Sequence, residues 1–147
     1  YAHLAGLLCL IEIAETQDRQ TCYALRHEVF VLEQGYTAEG EVDALDAVSH
    51  HLLMRKDGTP IGTARAYIDG DTAKIGRVCV LAAQRGTGLG AELIQSAVAV
   101  AKEQGATRVI LGAQLHAVGF YTKLGFTSFG DVYDDEGEPH QMMEITV

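Results

Sequence analysis

The chain has no tryptophan, only two prolines and little positive charge: 11 Lys and Arg stand against 20 Asp and Glu, a net charge of −9. That deficit argues against nucleic acid as the partner, because phosphate binding needs a basic face. Long apolar runs are missing too. Residues 4–11 form the longest candidate, broken by Gly6, and nothing approaches the ~20 residues a membrane span requires. No basic start precedes that run, and it continues into a strand pattern, so it does not read as a signal peptide. The three cysteines, Cys9, Cys22 and Cys79, make no C-x-x-C and no even framework. In apolar contexts they read as buried free thiols of a reducing cytoplasm. No His, Cys and Asp spacing suggests a zinc site, and no G-x-S-x-G elbow supports serine hydrolase chemistry. With no linker, repeat or low-complexity tract, residues 1–147 are expected to form a single domain.

What is present is glycine in one telling place. Residues 85–90 read Arg85-Gly86-Thr87-Gly88-Leu89-Gly90. A β-branched strand pattern precedes them at 74–81, and an amphipathic helix pattern follows at 88–104. A glycine turn that opens a helix leaves several N–H groups without internal partners, all aimed at one spot. The free donors and the helix dipole favour an anion there, phosphate above all. The spacing is neither the G-x-G-x-x-G of dinucleotide folds nor the G-x-x-x-x-G-K-[ST] of P-loops.

The rest of the chain alternates strand and helix patterns. Residues 7–14 read as a first strand, and Thr16 or Asp18 can cap a helix running to about residue 34. Residues 35–49 form a long acidic loop with room for one helical turn. Strands are expected at 50–55, 60–68 and 72–81, with Asp57-Gly58 and Asp69-Gly70 as hairpin turns. The helix that follows buries Leu89, Leu93, Ala97 and Val100 on one stripe, with Ile94, Val98 and Ala101 beside it, and ends at Gly105. A short strand at 107–111, a helix at 116–124 and a hairpin pairing 126–133 with 140–145 complete the pattern. Strand 74–81, helix and strand 107–111 make a βαβ unit, so those two strands run parallel in a mixed α/β sheet. A ligand belongs at their carboxyl ends, beside the glycine loop.

The segment Arg85-Gly86-Thr87-Gly88-Leu89-Gly90 resembles the acetyl-CoA pyrophosphate loop of the GCN5-related N-acetyltransferase (GNAT) superfamily. Gln114-Leu115-His116-Ala117-Val118-Gly119-Phe120-Tyr121-Thr122-Lys123-Leu124-Gly125-Phe126 resembles that family's later Asn-x-x-Ala-x-x-Phe-Tyr-x-x-x-Gly-Phe motif, with Gln114 where Asn is usual. Leu25-Arg26-His27-Glu28-Val29-Phe30, Gly112-Ala113-Gln114-Leu115-His116-Ala117 and Glu136-Gly137-Glu138-Pro139-His140 are similar to its ElaA-like subgroup. The likeness covers about residues 9–145. It implies the acyl-CoA N-acyltransferase fold: a mostly antiparallel sheet with one splayed parallel pair and flanking helices.

The resemblance also implies a reaction, acetyl transfer from acetyl-CoA as cosubstrate to a primary amine, with no metal. The pyrophosphate would lie on the amides of Arg85, Gly86, Thr87, Gly88, Leu89 and Gly90, and the pantetheine arm along Val78, Cys79 and Val80. Gln114, Phe120 and Lys123 would complete the cofactor surface. Arg77, Arg85, Lys102 and Lys123 offer positive charge near these elements. Tyr121 is the expected general acid for the leaving thiolate. An alkylammonium acceptor must lose a proton, and His116 leads the candidates for the base, followed by Glu41, Asp43, Asp46, His50 and His51. Most of the acidic loop reads as a solvated face. Adjacent His50 and His51 in a strand point to opposite sides, so one alone can face a site. Cys79 could accept an acyl group only with a lowered pKa. Acidic clusters at 39–46 and 131–138 would steer a cationic amine, either a small molecule or a protein amine. Two other readings remain: a silent acyl-CoA sensor, and an acyl-homoserine-lactone synthase, against which the glycine loop argues. The final hairpin offers an edge for a homodimer.

Overall fold

The computed structural model describes residues 10–147. Cys9 and the beginning of the expected first strand lie outside the described residues. Strand β1 spans Ile11–Thr16. Helix α1 (Arg19–Arg26) starts where the Asp18 side chain accepts the Thr21 N–H, a cap that supplies one orphan helix donor with a partner. The helix then widens into a π-helical segment, His27–Glu33. Beyond a loop with a short turn of 3-10 helix at Ala44–Val48 come β2 (His50–Lys56), β3 (Thr59–Asp69) and β4 (Thr72–Val80). Asp57 and Gly58 have φ of 51° and 84°, the left-handed pair that a two-residue hairpin demands. The next hairpin turns on Gly70 and Asp71 instead of Asp69 and Gly70, since β3 runs through Asp69.

Helix α2 (Leu89–Glu103) buries Leu89, Leu93, Ile94, Ala97 and Ala101. Gly105, at φ 94°, lets the chain leave it, and the Ala106 N–H closes the end on the Ala101 carbonyl at 3.0 Å. Strand β5 (Arg108–Gln114), helix α3 (Val118–Lys123) and strands β6 (Thr127–Asp135) and β7 (Glu138–Thr146) follow. β5 extends three residues past the expected residue 111 because β7 pairs with it all the way to Gln114 opposite His140.

The sheet order is β1-β2-β3-β4-β5-β7-β6. Its pairs are antiparallel apart from β4–β5. Alternation along each strand supplies two cores. Leu53 and Cys79 meet Cys22, Leu25 and Val29 of the α1 segment on one face. Leu52, Met54, Ile75, Val109 and Leu111 meet α2 on the other, where Tyr121 and Leu124 of α3 also pack. No helix among the described residues is long and apolar enough to cross a membrane.

The parallel pair is short. It runs from Thr72 opposite Arg108 to Ile75 opposite Leu111 and stops. Beyond it β4 carries an extra residue: Arg65 faces Gly76, while Thr63 faces Cys79. Arg77 in that stretch has φ 52°, a bulge that bends its strand. β5 keeps to β7 meanwhile, so the two parallel strands part, as the resemblance implies.

Candidate active site

The parted strands open a cavity of about 550 Å³. Lys74, Ile75, Gly76, Arg77 and Val78 form one wall, and Leu111, Gly112, Ala113 and Gln114 the other. Phe30 and Gln34 close one side, with Tyr36 to Glu41 of the following loop. Tyr121 enters from α3. Its ring lies edge-on to Phe120 and Phe126, at centroid distances of 5.1 and 5.9 Å. Burial pushes its hydroxyl pKa up, so the phenol holds its proton at neutral pH.

The glycine loop follows the end of β4 and does not line this cavity. Gly86 and Gly88 adopt φ of 86° and 82°, conformations open to glycine at little steric cost. Gly90 serves a different purpose: a Cβ there would lie 3.7 Å from Phe120 Cζ, so α3 packs close to the start of α2. Among the described residues, the N–H groups of Gly86, Thr87, Gly88, Leu89 and Gly90 meet no protein acceptor. A row of free donors at the start of a 15-residue helix suits a diphosphate. Arg85 is already engaged. Nη2 donates to Glu33 Oε1 at 2.7 Å, Nη1 donates to Glu33 Oε2, and Nε donates to the Val80 carbonyl at 2.9 Å.

With this geometry in view, the comparisons with known proteins are decisive. The sequence pattern of the acetyltransferase (GNAT) family matches residues 11–126. The chain belongs to the GNAT family. The uncharacterized N-acetyltransferase YjcF of Bacillus subtilis (strain 168) is 35% identical over 135 residues, 90% of this chain and 96% of its own. An acyl-CoA N-acyltransferase from Pseudomonas aeruginosa superposes with a TM-score of 0.81 at 32% identity, covering 93% of this chain and 99% of its own. Escherichia coli ElaA gives 0.80 at 28%, with the same coverages. Membership makes this GNAT protein an acyl-CoA-dependent acyltransferase.

Other sequence-derived site residues of the GNAT domain divide by position. Val78 and Gln114 line the cavity with Tyr121. Cys79 faces the α1 core and is 5% exposed; burial pushes its thiol up to about 12. That thiol stays protonated and is no acyl acceptor, so β4 can offer a ligand only its backbone here. Beyond Ile75 the β4 edge that faced β5 is unpaired, although Arg85 occupies the Val80 carbonyl. Phe120 is partly exposed beside Gly90, and Lys123 is exposed on α3. His116 is exposed outside the cavity, its Nε2 2.6 Å from Gln114 Oε1. Gln114 Nε2 donates to the Tyr36 hydroxyl at 2.9 Å.

Most of the acidic loop is exposed, Glu39 included, but Glu41, Asp43 and Asp46 are not the solvated acids the sequence suggested. Asp46 and Arg26 are each 1% exposed and joined at 2.7 Å. Arg26 also grips Glu41 at 2.7 Å, and Arg65 holds Asp43 at 2.7 Å and Asp46 at 3.0 Å. Arg77 is engaged by this loop: Nε donates to the Glu41 carbonyl at 3.1 Å, and Nη2 reaches Asp43 at 3.3 Å. Burial would raise the Asp46 pKa, but hydrogen bonds from Arg26, the Asp43 N–H and Arg65 outweigh it and hold the carboxyl well below the usual range. His51 is buried against the Asp46 carbonyl, 2.8 Å from Nε2, and His50 faces outward to Glu15 at 3.0 Å.

Among the cavity residues that sequence reasoning did not assign to the site are Tyr133, His140 and Gly112. Gly112 makes room for the other two. A Cβ at 112 would lie 2.1 Å from the Tyr133 hydroxyl oxygen. A glycine inside a strand pattern signals such a close approach, and that was the available clue.

Proposed function

We propose that this protein transfers the acetyl group of acetyl-CoA to a cationic primary amine. The observation that carries the reading is the run of unpartnered amides at residues 86–90 beside a strand pair that parts over a cavity containing the Tyr121 side chain. The amides would hold the pyrophosphate, and the open edge of β4 would hold the amide-rich pantetheine arm. The thioester then reaches the split, where a β4 backbone N–H polarises its carbonyl. The amine enters from the loop side, past Glu39, Glu41, Asp135 and Glu136. Its nitrogen bonds to the carbonyl carbon, the carbon–sulfur bond breaks, and Tyr121 protonates the departing thiolate. Two buried free thiols and a CoA substrate fit a cytoplasmic setting.

Two measurements test this. Acetyl-CoA at 100 times its Kd should stabilise the fold by roughly 2.7 kcal/mol, read as a rise in melting temperature. Thiol release with spermidine and tyramine then reports transfer. The Gly88→Val variant should lose the thermal shift. Its side chain crowds the amides, and the left-handed conformation costs it about 1–2 kcal/mol in basal stability. A wild-type protein with no shift sinks the cofactor assignment; a shift without thiol release leaves a CoA-binding sensor.

A further inference from the structure

Resting on the acetyl-transfer reading, we propose that His140 is the base that takes the proton from the acceptor amine, with Asp135 as the charge partner of the resulting imidazolium. Five histidines fall among the described residues, and His140 alone lines the cavity that Tyr121 enters. The others are placed elsewhere or spent. His116 turns to Gln114, His51 is bound to the Asp46 carbonyl and His50 is paired with Glu15. His27 borders a separate small hollow with Gln20 and Tyr23.

The ring of His140 is held in one sense. Its Nδ1 lies 2.8 Å from the Glu138 carbonyl. A carbonyl only accepts, so Nδ1 carries the hydrogen, and in the neutral ring Nε2 keeps its lone pair. Tyr133 fixes the plane, with centroids 5.6 Å apart and rings inclined by 31°. Gly112 permits that placement, since a Cβ there would collide with the Tyr133 hydroxyl. Register sets the location: His140 pairs with Gln114 at the carboxyl end of β5, where β4 has already departed. The residue is 7% exposed, and Nε2 lies 4.0 Å from Asp135 Oδ2.

The alternatives in the cavity are weaker acceptors. Glu41 is bound by Arg26 and Arg77, and Glu136 accepts from the Thr37 hydroxyl at 2.6 Å. Carboxylates also titrate near pH 4, too acidic to draw a proton from an ammonium, whereas imidazole titrates near neutrality. The charged and titratable groups around the ring are Asp135 and Tyr133 from β6, Glu136 from the turn, Glu138 from β7 and Tyr36 across the cavity. The ammonium loses one proton to Nε2, which passes it by way of exposed Asp135 to water. The nitrogen then forms the new C–N bond, the C–S bond breaks, and Tyr121 protonates the sulfur. The second nitrogen proton returns to Tyr121 through solvent. The net products are amide, CoA thiol and one released proton.

The test is the pH profile of kcat/KM with spermidine as the probe amine. His140→Asn keeps a donor for the Glu138 carbonyl and removes Nε2. It should lower turnover about 100-fold or more, as loss of a general base does, and erase the acidic limb in the imidazole range while the acetyl-CoA thermal shift stays as in wild type. Asp135→Asn keeps the ring and removes the proton's exit, so it should lower kcat while the acetyl-CoA thermal shift stays as in wild type. A wild-type limb and turnover in His140→Asn overturn the role of His140 and leave the acetyl-transfer reading intact. A wild-type protein that binds acetyl-CoA but acetylates no amine overturns both. Should His140→Asn lose the thermal shift through misfolding, His140→Gln takes the same readings: a lost acidic limb supports the base, and a wild-type limb refutes it.

Discussion

Tyr121 concentrates the chemistry of a single residue. Its ring is packed between Phe120 and Phe126, yet among the described residues its hydroxyl has no protein partner. A buried phenol normally finds one. Here the hydroxyl's own burial keeps it protonated, which is the state a general acid needs. Tyr121→Phe preserves the packing and deletes the proton, so kcat should fall about 100-fold or more while the acetyl-CoA thermal shift is unchanged. Steady-state kinetics beside the melting curve checks both halves, and equal turnover would remove the acid role. Tyr121 could be found from sequence because its neighbours along the chain carry the motif. Gly112 and His140 stand in subgroup-like motifs, but their meeting with Tyr133 was not legible, because it is made through the β5–β7 and β6–β7 registers, and no local spacing encodes a register.

The loop between the π-helical segment and β2 is the element whose character the sequence hid. Its acids looked solvated because their partners are far along the chain: Arg26 lies 20 residues before Asp46 and Arg65 lies 22 after Asp43. Short-range devices were easier to read. The Asp57-Gly58 turn, the Asp18 cap and the Gly105 helix end follow from backbone preferences of those residue types alone. The buried ions fix the loop as one cavity wall. Asp46→Asn removes one partner of a pair in which both sides are 1% exposed, so Arg26 and Arg65 lose a charge they need. Such breaks cost about 3–5 kcal/mol, measurable by urea unfolding. The folded pKa of Asp46 is depressed, so its contribution is whole above the unfolded value of about 4 and is lost as pH falls toward the folded one. The variant's stability should therefore fall less steeply than wild type below about pH 4. Parallel curves would mean that the network does not hold the loop.

At the scale of the whole molecule, an acidic protein must bind one anion and, in the proposed reaction, one cation. The net charge is −9, and the two demands are met in different places. In the proposed reaction the glycine loop would attract the diphosphate with main-chain dipoles, which need no positive residue and are unaffected by the pairing of Arg85 with Glu33. The cavity rim keeps net negative charge. Glu39, Asp135 and Glu136 face Lys74, while Arg77 is bound to Glu41 and Asp43. Long-range attraction of a cation scales with its charge and is screened by salt, with a Debye length of about 10 Å at 0.1 M. Spermidine carries more positive charge than tyramine, so its kcat/KM should fall more as ionic strength rises from about 0.05 to 0.5 M, by a factor of order ten. The KM for acetyl-CoA should fall over the same range, because salt relieves repulsion between the cosubstrate and an acidic surface. Measuring both amines at each salt concentration isolates the field from any change in the chemical step, which they share. If the two amines lose activity in the same proportion, the rim does not steer the acceptor. Its identity would then be set by shape within the cavity.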